Sequence, residues 1–95
     1  MNFEAHCLEC KAHLGDPFTA VHRWLDEFMG SKEYGMRHRK VRHHEEGIKK
    51  AVELFGKEAG LAARMHIIAD LKEEGWKEGD HFPLNETDYV KMGLF

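Results

Sequence analysis

Histidines and acidic residues recur in this chain at spacings that could build a metal site. His22 and Asp26 are four residues apart, and so are His66 and Asp70. In a helix, residues four apart lie on the same side, so each Asp could orient its His or share a metal with it. A single His–Asp pair of this kind is usually an ion pair on the protein surface, but two such pairs in a short chain favour a shared site. Imidazole and carboxylate together suit Zn, Fe, Mn or Ni.

The segment Tyr34–Ile48 adds three more histidines. If it is one helix with Val41 facing the core, the helical phase turns His38 and His44 inward and His43 outward. Polar groups at inward positions stay buried only if they are paired, hydrogen-bonded or bound to a metal. This segment therefore predicts a polar pocket inside the protein.

We predict a divalent-metal site built from separate helices, as helical bundles commonly do. Its predicted ligands are His22, Asp26, His38, His43, His66 and Asp70. The regular motif His-Glu-x-x-His is absent. The alternative is a structural core in which carboxylates and backbone groups satisfy the histidines.

Four cations fall within six residues at Arg37, Arg39, Lys40 and Arg42. Arginine suits phosphate because its fork can bind two oxygens at once. We predict that Arg37 and Arg39 hold an anion, which beside a metal favours a phosphoester substrate. The alternative is a solvated basic face near acidic residues of the same chain.

Cys7 and Cys10 resemble half of a zinc site. No second cysteine pair exists, and the two fall on one stripe of the first predicted helix with Phe3 and Leu14. We interpret both as small core residues, reduced in a cytoplasmic setting.

The elements predict an all-α fold, an up-and-down bundle of four main helices with a short C-terminal helix, in a single domain over residues 1–95. The fourth helix is apolar nearly all round and should be central. The first helix is predicted over residues 3–14, and the second over residues 17–29, with Asp16 as its N-cap and Pro17 as its first residue. The third is predicted from an N-cap at Ser31 to Phe55, and the fourth from Ala59 to Glu74. A short last helix is predicted to begin after an N-cap at Asn85.

The composition of the chain disfavours some classes of function. The chain has 42% hydrophobic and 33% charged residues and a net charge of −3, which disfavours general nucleic-acid binding. It has no apolar run long enough for a membrane span, and the N-terminus lacks signal-peptide features, so we expect a cytoplasmic protein. A core this small would gain stability from a metal, a homodimer or a protein partner.

Several motifs resemble a family of short bacterial and phage helical proteins. They are the His-x-Trp-x-Asp segment at His22–Asp26, Arg37-His-Arg39 followed by His43, Gly47-Ile48, Phe55-Gly56, and His66-x-x-x-Asp70-Leu71. The resemblance spans residues 5–75. Some members have one histidine at the position of His43-His44, which favours His43, whereas helical phase favours His44. The members lack the two cysteines, and the resemblance implies no established activity.

A looser resemblance links the chain to metal-dependent helical phosphohydrolases with scattered His and Asp ligands, although their adjacent His-Asp doublet is missing. We predict a small metal-binding helical protein that could be a hydrolase of a phosphorylated substrate. The alternative is a non-catalytic, phage- or mobile-element-associated interaction module with a structural histidine core.

Overall fold

The computed structural model describes residues 1–95, and its regular structure is helical, as predicted. The α-helices are α1 (Phe3–Leu14), α2 (Thr19–Leu25), α3 (Glu45–Phe55), α4 (Ala59–Glu73) and α5 (Glu86–Lys91). A 3₁₀ helix, His38–Val41, lies between α2 and α3. None of the helices combines the length and apolar character needed to cross a bilayer.

Helix α4 is the centre of the bundle and packs against α1, α2 and α3. Its buried residues recur every three or four positions: Ala59, Ala62, Ala63, His66, Ile67, Asp70 and Leu71. The alanines let neighbouring backbones come close, and the same face carries His66 and Asp70. Two polar side chains therefore lie within the packed interior.

The apolar core surrounds this central helix. It comprises Cys10, Val21, Leu25, Ile48, Ala51, Ala59, Ala62, Ala63, Ile67, Leu71 and Tyr89. Burial raises the pKa of the Cys10 thiol to about 11, with a further contribution from Glu9, so the thiol stays protonated at neutral pH. Cys10 thus packs as a small core residue, and Cys7 is partly buried beside it along α1.

The predicted start of the second helix is wrong by two residues. Helix α2 begins at Thr19 after Phe18, which takes a left-handed conformation with φ of 51°. The Asp16 carboxylate accepts a hydrogen bond from the Phe18 amide at 2.8 Å, so it stabilises a turn before the helix instead of capping it. The helix also ends at Leu25, earlier than predicted.

The prediction of one continuous third helix is wrong as well. Helix α3 begins only at Glu45, because His44 is an extended N-cap whose Nδ1 accepts a hydrogen bond from the Gly47 amide at 3.1 Å. The His44 Nε2 lies 3.1 and 3.0 Å from the carbonyls of Lys40 and Val41. A side chain that bonds backbone on both sides holds the break between the 3₁₀ helix and α3.

This break invalidates the helical phase assigned across the segment. Ile48 and Ala51 are buried, but Val52 and Phe55, which the phase set by Val41 would turn toward the core in a continuous helix, are 36% and 41% exposed. A phase extrapolated from Val41 cannot hold once the helix restarts at Glu45.

The last helix follows its sequence signals. The Asn85 side chain accepts a hydrogen bond from the Asp88 amide at 2.8 Å, as the predicted cap requires. Helix α5 packs against the 3₁₀ helix and buries Tyr89 completely. It thereby covers the segment that carries His38.

Candidate metal centre

Six of the eight histidines are buried, and five of them converge beside α4. The five are His6 from α1, His22 from α2, His38 from the 3₁₀ helix, His43 from the turn before α3, and His66 from α4. Asp26 and Asp70 lie among them. His13 and His81 are exposed at the surface.

The centre of the cluster is a group of four residues, Asp26, His43, His66 and Asp70. One ligand atom from each lies within 4.8 Å of the others. The Nε2 atom of His66 is 3.3 Å from Asp26 Oδ2 and 3.3 Å from Asp70 Oδ2. The Nε2 atom of His43 is 3.2 Å from Asp70 Oδ2 and 3.6 Å from Asp26 Oδ1.

These spacings are compatible with four ligands of one metal ion. Ligands at about 2.1 Å from a common metal are separated by roughly 3.0 to 3.4 Å in octahedral or tetrahedral geometry. Three of the four distances lie in that range. His66 Nε2 also faces both carboxylates without the angles of a hydrogen bond to either. The four residues could therefore hold a metal ion.

A second group overlaps the first at His66. His6, His22 and His66 also bring their ligand atoms within 4.8 Å of one another. The rings of His6 and His66 stack with centroids 3.6 Å apart, and the Nδ1 atoms of His22 and His66 are 2.8 Å apart. His66 thus contacts the His6 ring on one face and His22 through its Nδ1 atom.

The outer residues of the cluster orient the two carboxylates. His38 Nε2 lies 3.0 Å from Asp26 Oδ1, and His6 Nε2 lies 3.2 Å from Asp70 Oδ1. Arg39 Nε is 3.7 Å from Asp70 Oδ2. Partners of this kind fix ligand orientation in metal sites and tune metal affinity.

Both carboxylates are held in the ionised form. Burial alone would raise their pKa values, but the imidazole of His66, 3.3 Å away, holds the pKa of Asp26 well below its usual range, with further contributions from His43 and from a hydrogen bond with His38. A hydrogen bond from His43 and the close imidazoles of His6 and His66 do the same for Asp70. Two ionised carboxylates this close need a cation between them.

Two of the imidazoles are held neutral. Burial lowers the pKa values of His22 and His43 to about 4. For His66, burial also acts to lower the pKa, but the carboxylates of Asp26 and Asp70 beside the ring outweigh it and raise the pKa. Neutral imidazole and ionised carboxylate are the forms that bind metals, and His66 is where a proton would compete with the metal.

The sequence left His43 and His44 as alternatives for the pocket. The structure places the His43 ring in the cluster and uses both nitrogens of His44 in backbone contacts. The guanidinium of Arg42 fixes this turn to α2, with Nη1 2.6 Å from the Trp24 carbonyl and 2.7 Å from Glu27 Oε1. His43 is thereby held against Asp26.

The two arginines predicted to bind an anion lie in different places. Arg37 is exposed and lies over the Phe95 ring, with its Cζ 5.1 Å from the centroid. Arg39 borders the cluster, and its Nη1 lies 3.3 Å from Glu74 Oε2. The structure therefore does not bring Arg37 and Arg39 to one surface as a pair.

His6 was absent from the set of ligands predicted from the sequence. Its signal was available, because His6, Cys10 and Leu14 follow the same four-residue repeat along α1, and Cys10 belongs to the core. A histidine at the next position of a buried stripe should face the interior.

The fold and this cluster define the class: a small all-helical protein whose interior holds a histidine–aspartate cluster that could bind a metal. The chain belongs to the family DUF6915, a domain of unknown function, whose model matches residues 1–91. No curated protein and no solved structure matches the chain.

Proposed function

We propose that this protein binds one divalent transition-metal ion through Asp26, His43, His66 and Asp70. The observation that carries the proposal is the set of distances between these four residues, three of which equal the edges of a coordination polyhedron. Two carboxylates neutralise a divalent charge, and two imidazoles select Zn, Fe, Mn or Ni over Mg and Ca.

The unpaired ring nitrogens support a metal over a purely structural histidine core. Six buried nitrogens have no hydrogen-bond partner: His6 Nδ1 and Nε2, His22 Nε2, His38 Nδ1, His43 Nδ1 and His66 Nε2. A core built for hydrogen bonding alone would satisfy most of them. His66 Nε2 in particular faces two anionic oxygens, as a nitrogen that shares their metal would.

Metal-dependent hydrolysis of a phosphorylated substrate is the reaction we assign to this site. A divalent metal held by Asp26, His43, His66 and Asp70 would lower the pKa of a water bound to it and so supply a nucleophile at neutral pH. Overall, hydrolysis would join the water oxygen to phosphorus, break the ester P–O bond and leave the departing oxygen with a proton from the water. Asp26, which is partly exposed, lies on the solvent side of the four ligands.

The decisive experiment is metal analysis of protein purified without a histidine tag. We expect close to one equivalent of metal per chain, and loss of that metal in His66→Ala and Asp70→Asn. The matched control is His13→Ala, because His13 is exposed and outside the cluster. Phosphomonoesters and phosphodiesters would then be assayed with and without a chelator.

A different outcome would favour the alternative function. Protein without metal, with a melting temperature that a chelator does not change, would indicate a structural histidine core in a non-catalytic interaction module. The homodimer, the protein partner and the cytoplasmic location stay predictions. Sedimentation of the purified protein would test the first of them.

A further inference from the structure

A pocket of about 590 Å³ borders the candidate metal centre. The carboxylates of Asp26 and Asp70 belong to its wall, so a ligand in the pocket would reach the metal. This volume lies within the range of about 300–1,000 Å³ that is usual for small-molecule sites. Phe3 and Met29 give the pocket an apolar side.

The charges around the pocket depend on the metal. Its side chains include three carboxylates, Asp26, Glu27 and Asp70, and two arginines, Arg23 and Arg39. With the histidines counted as neutral and the terminal ammonium of Met1 included, the wall carries no net charge, and a divalent ion would give it two net positive charges. Anion binding should therefore require the metal.

Arg23 is the cation in this wall without a carboxylate partner. Arg39 is engaged by Glu74 and Asp70, whereas the Arg23 guanidinium forms no salt bridge and lies over the ring of Phe3, with its Cζ 5.5 Å from the centroid. Glu27, the acidic residue nearest in sequence, is held by Arg42 at 2.7 Å. The Arg23 guanidinium is thus free to form a bidentate pair of hydrogen bonds to an oxyanion.

From this arrangement we infer that the pocket binds a small phosphorylated ligand, with its phosphate between the metal and Arg23 and its organic part against Phe3 and Met29. This inference rests on the proposed function and names its substrate class. It replaces the predicted pairing of Arg37 with Arg39, since Arg37 lies on a different pocket beside Phe95.

The test is calorimetric titration of metal-loaded protein with inorganic phosphate and with phenylphosphonate, which carries an apolar ring and cannot be hydrolysed at its P–C bond. Arg23→Gln should weaken phosphate binding about 10-fold or more, the usual effect of losing a charge-assisted contact. Arg37→Gln is the matched control and should change it less than about 2-fold. Phenylphosphonate should bind more tightly than phosphate, and Phe3→Ala should remove that difference.

The outcomes separate the two proposals. Wild-type protein that holds no metal would overturn the proposed function. Metal-loaded protein that does not bind phosphate, binds it equally after metal removal, or is insensitive to Arg23→Gln would overturn only this inference. A larger effect of Arg37→Gln than of Arg23→Gln would also overturn it, because the anion would then bind near Phe95.

Discussion

The Nδ1 atoms of His22 and His66 lie 2.8 Å apart, and neither ring is exposed to solvent. Only one of the two nitrogens can carry the shared proton. A metal on His66 Nε2 requires the proton on His66 Nδ1, which then donates to His22 Nδ1. His22 must then carry its own proton on Nε2.

This relationship predicts that His22 orients a ligand and is not itself one. His22→Gln should leave close to one metal per chain at saturation but weaken metal affinity about 10- to 100-fold, as losses of orienting partners do. Competition with a chromophoric chelator measures the affinity. His13→Gln is the control. A fall in the saturated stoichiometry would show that His22 is a ligand, as the sequence alone predicted.

The adjacent histidines His43 and His44 should respond differently to the same substitution. His43→Ala removes a proposed ligand and should abolish high-affinity metal binding. His44→Ala removes an N-cap and the contacts to the Lys40 and Val41 carbonyls, so it should lower stability by roughly 1–3 kcal/mol. Thermal melts and metal analysis of both variants measure the two effects.

The two results have to be compared under saturating metal. His44→Ala should retain its metal there, because the ring lies outside the ligand group. If His44→Ala lost the metal while His43→Ala kept it, the assignment of the pair would be reversed.

Two residues at the centre of the site could be predicted from the sequence, but the arrangement of the site in space could not. His66 and Asp70 were predictable because α4 is apolar with regular spacing, so its few polar positions stand out. The position of His43 was not predictable from helical phase, since the break before Glu45 depends on one side chain, His44, whose ring contacts the backbone of Lys40 and Gly47 on either side. Histidine is an uncommon N-cap, and its preference signal is weak.

The location of an anion site was equally beyond the sequence. The run of cations from Arg37 to Arg42 looked like one basic surface, but each side chain has its own tertiary partner. Arg37 and Lys40 lie over aromatic rings, and Arg39 and Arg42 pair with glutamates. Arg23, a single cation within α2, gave no such signal, because only the structure shows that its guanidinium forms no salt bridge.

Gly47 should be intolerant of any side chain. A Cβ atom there would lie 1.8 Å from the backbone carbonyl oxygen of Arg42 and 2.6 Å from its carbon. Because this contact is with backbone, Gly47→Ala must displace the turn that carries His43. We expect it to destabilise the protein by about 3 kcal/mol or more and to weaken metal binding.

Gly60→Ala is the matched control for Gly47→Ala. Its added Cβ would meet Val52 Cγ2 at 2.8 Å, and that side chain is partly exposed and can move. We expect a much smaller loss of stability and unchanged metal stoichiometry. Chemical denaturation of both variants tests the difference, and equal effects would contradict the role assigned to the Arg42–Gly47 contact.

Metal-free protein should lose stability on acidification before its carboxylates titrate. The pKa values of His22 and His43 are lowered from 6.5 to about 4 on folding, so between those values the unfolded chain binds more protons than the folded one. Their contribution is therefore present above about pH 6.5 and lost as the pH falls toward 4, on the order of 3 kcal/mol for each ring. The raised pKa of His66 acts oppositely, and its contribution declines as the pH rises above 6.5.

Thermal melts in chelator from pH 8 to pH 4 would measure this dependence. We expect the melting temperature to fall mainly between pH 6.5 and 4, whereas Asp26 and Asp70, whose pKa values are lowered from 3.8, contribute losses only below that window. His22→Gln removes one of the two lowered groups and should flatten the curve, whereas His13→Gln should not. A melting temperature constant from pH 7 to 4.5 would show that these rings do not stay neutral inside the protein. It would contradict the claim that His22 and His43 are in the neutral form that binds metals.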